Sequence, residues 1–297
     1  MTCHLATGLA QRLGVASPPD GDSHPLDTLA ATYLQTRGRR LKFTEELYDL
    51  CIHLDVSVPE PLRQLAEIEH FSIYITTGFD PLLTRALAEA RGLEPEVLAY
   101  APRQLRDLPG SLQQIRQRGK PLVYHLLGEP STNAAHWAIT EEDRLEFYHA
   151  LQAPNRQPEI LFSELRDRHL LLLGGGHPDW LARFFLRTIK GDRLSLERSV
   201  EEIIADPAIF SRENTRLREF LTRYSPQTRV YPSRNPSLFV AELHRRYSAR
   251  HPRGGEPCGP FATRLPGAAS RITARRHFSQ LRTRRSCCCP EPLWGAM

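Results

Sequence analysis

Two residues at the ends of apolar runs carry the chemistry this chain could do. They are Asp80, closing Ile75-Thr-Thr-Gly-Phe-Asp80, and His125, in Val123-Tyr-His-Leu-Leu-Gly128. An imidazole titrates near neutrality and can take a proton from a hydroxyl or a water. A carboxylate can hold the same hydroxyl or water in place. Each also has a plainer reading: His125 as a satisfied histidine near a strand end, Asp80 as the cap of a helix beginning at Pro81. A third segment, Leu170-Leu-Leu-Leu-Gly-Gly-Gly-His-Pro-Asp-Trp180, puts Gly174, Gly175 and Gly176 directly after a buried-type run, with Asp179 close behind. Glycines there let a ligand's ribose or phosphate approach the backbone, or simply make a tight strand-to-helix turn. In an open parallel sheet ligands bind outside the carboxyl ends of the strands. Polar residues at several such ends point to one site assembled from distant parts of the chain.

The elements that must position these groups follow from periodicity. Leu26, Leu29, Ala30, Tyr33 and Leu34 share one helical face, and Phe43, Leu47, Leu50 and Cys51 repeat the pattern. Pro59 and Pro61 suit the start of a third helix ending near Glu69. The runs 71–76, 96–100, 121–126 and 169–173 read as strands, with 71–76, 121–126 and 169–173 expected at the sheet centre. A final strand is expected at 228–231. Helices are expected from Pro81, over 159–166 and 179–189, over 194–224 with a break near Asp206-Pro207, and over 236–247. Thr140 suits an N-cap for a helix over 141–150, although Asp143 stands where a capping box has Glu or Gln. Strands alternating with helices imply an α/β fold: a parallel sheet with helices on both faces, plus a helical N-terminal segment.

Composition narrows the function classes. The net charge of +5 resides in the tail: residues 251–297 hold eight arginines, no lysine and two acids, leaving thirty-one bases against thirty-two acids elsewhere. A nucleic-acid role for the main body loses its support and is confined to the basic tail. Cys3, Cys51, Cys258 and Cys287–Cys289 form no pair of C-x-x-C knuckles, so no metal centre is expected. No stretch is apolar enough for a membrane span or a signal peptide, so the expected location is the cytoplasm.

In chain order, these segments resemble the motifs of bacterial sirtuin-like (silent-information-regulator-like) domains: a strand ending T-T-N-F-D, then V-Y-H-L-H-G, then L-T-E-E-D-Y-x-x-F, then L-x-G-Y-S-x-x-D-W. The resemblance covers about residues 4–250. It implies a Rossmann-like core and NAD as substrate or ligand, with cleavage to nicotinamide and ADP-ribose in antiphage defence and no metal. It implies His125 and Asp80 as catalytic residues. Thr76, Thr77, Gly78, Gly174, Gly175, Gly176 and Asp179 would bind the cofactor. The partners it implies are a TIR domain or another effector, and further copies of the chain.

The chain departs from that pattern in informative places. The family's Asn is Gly78 here, and the histidine directly before the glycine is Leu127; His125 matches the other histidine, two residues upstream. No Gly-rich loop after a β-run is found in residues 1–25, so the first strand and phosphate loop of the family are expected to be lacking. The expected organisation is a helical segment over 1–70, a Rossmann-like core over 71–250 and a disordered basic tail over 251–297, truncated relative to TIR-fused relatives. Weak or absent NAD hydrolysis is expected; the alternative is a non-catalytic sensor or scaffold that binds NAD or ADP-ribose.

Overall fold

Leu5, Leu9 and Leu13 recur at helical spacing and form the buried stripe of α1 (Thr2–Leu13). This helix packs with α2 (Pro25–Arg37) and α3 (Arg40–Ile52) around Leu29, Tyr33, Phe43 and Leu47. The computed structural model describes residues 2–251 except 23–24, 38, 105, 175–178, 197–198, 211–213 and 232–234. The expectation of a disordered tail therefore lies outside the described residues.

Beyond α4 (Glu60–Ala66) the chain alternates between strands and helices. One sheet holds β1 (Ile73–Thr76), β2 (Glu96–Ala99) and β3 (Leu122–His125) in the order β1-β3-β2, every pairing parallel. Its helices are α5 (Leu82–Arg91), α6 (Leu112–Gln117), α7 (Glu141–Gln152) and α8 (Glu159–Arg166). The second sheet holds β4 (Leu170–Leu173), β5 (Glu202–Ala205) and β6 (Thr228–Val230) in the order β4-β5-β6, again parallel. With it run α9 (Asp179–Lys190), α10 (Thr215–Tyr224) and α11 (Pro236–Arg250).

Strand alternation sorts the core. Leu122 and Tyr124 of β3 point into one cluster with Phe147, Leu151, Leu161 and Phe162, while Val123 points into another with Tyr74, Ala86 and Leu87. Both faces of β3 are thus covered by helices, which is why its run is apolar without alternation. The α/β, Rossmann-like architecture with a helical N-terminal segment is the one observed.

Three expectations need correction. Residues 202–205 are a strand, β5, within the stretch read as helical over 194–224. The pair Ile203-Ile204 is β-branched and suits a strand, and Glu202 ahead of it is buried against Lys190. Second, of the three runs expected at the sheet centre only β3 has partners on both sides; β1 and β4 are edges of their sheets among the described residues. Third, the capping box at Thr140 is complete with Asp rather than Glu. The Asp143 N–H donates to Thr140 Oγ1 at 3.2 Å, and Asp143 Oδ2 accepts from the Thr140 N–H at 2.9 Å. The other oxygen, Oδ1, accepts from Arg40 of α3.

Candidate functional site

β1 ends at Thr76, and the next five residues turn the chain into α5. Thr76 Oγ1 accepts from the Gly78 N–H at 3.0 Å, which folds the turn back on the strand end. Asp80 Oδ1 accepts from the Leu82 N–H at 3.1 Å, but Pro81 and not Asp80 occupies the N-cap of α5, so Asp80 closes the turn one residue ahead of the cap expected for it. The helix begins at Leu82 with Pro81 just ahead of it, one residue later than expected. Oδ2 turns toward Gly78, where an added Cβ would lie 3.3 Å from it. Phe79 is held by an edge-to-face contact with the fully buried Trp137, ring centroids 5.2 Å apart.

The parallel register places His125 beside Thr76 on one side and Ala99 on the other. Its Nδ1–H donates to the Gly78 carbonyl at 3.0 Å. Because a carbonyl only accepts, the neutral ring then carries its free lone pair on Nε2. His125 is 5% exposed. Burial pushes its imidazole below the ordinary value; the bond to Gly78 and the charges of Glu129 and Asp80 pull the other way. The ring is therefore neutral at pH 7 and able to accept a proton.

The residues after His125 are fixed by the backbone. Gly128 has φ +83° and pairs with Trp137; a Cβ there would sit 2.0 Å from the His136 carbonyl oxygen. Leu127 is 5% exposed within the apolar core, so that position supplies no polar group.

Thr76 and Thr77 line a cleft of about 800 Å³ whose other wall is β4 with Gly174. Asp206 and Asn214 line it too. Asp206 directly follows β5 and is 7% exposed; Asn214 precedes α10. Sequence reasoning takes Asp206-Pro207 only as a helix break, and a polar residue after the Ile203-Ile204 run is the signal that could have found it. A second depression of about 590 Å³ on the α10 surface gathers none of the candidate groups.

The sequence-derived site therefore divides. Gly78, Asp80 and His125 form one contact cluster, and Thr76, Thr77 and Gly174 line the neighbouring cleft. Gly174 takes φ +64°, and a Cβ added to it would meet nothing within 4 Å, but its N–H already donates to the Ala205 carbonyl at 2.9 Å. It leaves no donor for a phosphate. Gly175, Gly176 and the Asp179 side chain lie outside the described residues. Among the described residues no group of three or more His, Cys, Asp or Glu is placed to hold a metal ion.

No curated protein matches the chain. Residues 72–224 match the family described as SIR2-like domain, a span running from the start of β1 to the end of α10 and covering more than half of the sequence. That span contains the turn after β1, the His125 strand and both walls of the cleft, so the groups that first suggested a site all sit within it, and the chain belongs to the SIR2-like domain family.

Proposed function

We propose that this chain binds NAD at the carboxyl ends of β1, β3 and β4 and hydrolyses it slowly. The observation that carries the reading is the convergence of His125 and Asp80 on Gly78, with Nδ1 engaged and Nε2 left as the basic atom. In the proposed step water attacks C1′ of the nicotinamide ribose. The bond from C1′ to the pyridinium nitrogen breaks, its electron pair stays on nitrogen, and neutral nicotinamide leaves. The proton of the attacking water passes to Nε2 of His125, and the free Asp80 oxygen faces the positive charge that develops on the ribose. The products are nicotinamide, ADP-ribose and a proton. Residues 1–70 act as the helical segment of the domain and 71–250 as its core. The resemblance supports a place in cytoplasmic antiphage defence with a TIR domain or other effector, and no described helix is long and apolar enough to cross a membrane.

A second reading has its own support. Gly78 offers no side chain, Leu127 is buried, one Asp80 oxygen is taken by the Leu82 N–H, and the Gly174 N–H is already bonded. These favour a non-catalytic module that senses NAD or ADP-ribose. Nicotinamide release by the purified chain, measured beside NAD binding by calorimetry, separates the two. Release that is lost in His125→Ala supports the hydrolase. Binding without release supports the sensor, and neither would overturn both.

A further inference from the structure

The two half-sheets turn bare edges toward a common cleft. Its lining runs along Ser72–Thr77 on one wall and His169–Gly174 on the other. Ser72 and Thr76 accept from Leu122 and Leu126, so the backbones of 72, 74 and 76 face β3 and those of Ile73 and Ile75 face away. Likewise Leu170 and Gly174 donate toward β5, leaving the backbones of Leu171 and Leu173 facing away. Among the described residues no strand pairs with either edge. The four leucines of β4, a run suited to full burial, are each only half-buried.

We propose that this cleft is a receptor for a β-strand: an extended, uncharged, β-branched segment of about five residues, donated by another polypeptide and running parallel to β1. Three observations choose that occupant. Unmet backbone N–H and C=O groups on opposite walls need partners, and a peptide strand presents donors and acceptors to both sides at the strand repeat. Leu65, Leu83, Phe185, Leu186 and Ile189 make the floor and roof apolar, which excludes charge from the inserted side chains. At the starts of β1 and β4 the rim carries Arg116 and Arg168 against the single acid Glu164, matching an acidic residue just ahead of the strand. Filling the cleft joins the two observed ladders into one continuous sheet, since every pairing on either side is already parallel. An exposed edge of this kind otherwise invites uncontrolled pairing.

The test uses the full chain and a fluorescein-labelled peptide with two glutamates, then alternating valine and isoleucine over five residues, then glycine. The comparison peptide carries proline at the second and fourth strand positions, which removes two donors at nearly constant hydrophobicity. Saturable anisotropy that weakens about tenfold or more with the proline peptide is expected. Hydrogen exchange should then slow at the amides of Ile73, Ile75, Leu171 and Leu173, while Tyr74, already facing β3, is unchanged. Equal binding of both peptides would overturn the proposal in favour of a plain apolar pocket. Absence of saturable binding, or protection confined to β2 and β6, would overturn it as well. Neither readout depends on NAD.

Discussion

Lys190 of α9 and Glu202 of β5 form an ion pair at 2.8 Å with side chains only 3% and 4% exposed. Ser225 accepts from Lys190 at 2.9 Å, and Thr228 donates to Glu202 at 2.9 Å, so both charges are hydrogen-bonded away from water. Removing one partner leaves a buried, unmatched charge. Lys190→Met should therefore cost about 3–5 kcal/mol, whereas the double variant Lys190→Met/Glu202→Leu should recover most of it. Chemical denaturation of the three proteins checks this; a double variant no better than the single one would contradict it.

Gly78→Asn is expected to fold. The backbone is not left-handed there, and an added Cβ meets Asp80 Oδ2 at 3.3 Å and Thr76 Oγ1 at 3.4 Å, contacts that need a shift of tenths of an ångström. Stability should fall by about 1 kcal/mol or less. Restoring a preorganised amide beside Asp80 should raise nicotinamide release by about 10²–10³. Leu127→His should behave oppositely, losing about 1–3 kcal/mol because the new ring enters an apolar core. Melting curves and a nicotinamide assay on the two variants read both effects.

His125 links stability to pH. Burial holds its native pKa below the ordinary 6.5, so the unfolded chain takes up a proton at a higher pH than the folded one. Unfolding is then coupled to proton uptake, and stability should decline as pH drops from about 6.5 toward the native value. His125→Gln should remove that part of the slope. The measurement compares denaturation midpoints of both proteins at about pH 7.5 and about pH 5.5; identical slopes would count against a buried neutral ring.

Cys51 should be inert. Burial, with the Asp80 charge adding to it, pushes its thiol up to about 12, and the thiolate is the reactive form. Iodoacetamide should leave Cys51 unmodified in the native protein and label it after unfolding, read by peptide mass spectrometry.

Much of the fold is legible in local pattern, because the signals are local. The helix over 159–166 is legible to its observed bounds, since Pro158 opens it and its apolar stripe is clear. The turn after β1 is readable because Gly78, Asp80 and Pro81 each favour a turn for a different reason: freedom of the backbone, a side-chain acceptor and a fixed φ. β5 is not, since its first residue is a charge whose partner lies on another element. The pairing of Nδ1 with the Gly78 carbonyl is likewise invisible in the sequence, because it depends on the register between β1 and β3. Nor can spacing reveal that Gly174 spends its N–H on Ala205.

The loop between β3 and α7 has a consequence for how this domain can be divided. Trp137 and Ile139 belong to the cluster built by α1, α2 and α3, while Ala138 between them belongs to the core under the first sheet. Asp143 then fastens α3 through Arg40, and Asp27 of α2 fastens Arg144. The loop is therefore a shared part, owned by neither half. A genetic exchange with its breakpoint near residue 70 would strip an indole, an isoleucine and the ring of Phe79 of their cover. Keeping those side chains covered requires that the three N-terminal helices and the strands behind them be moved as one piece.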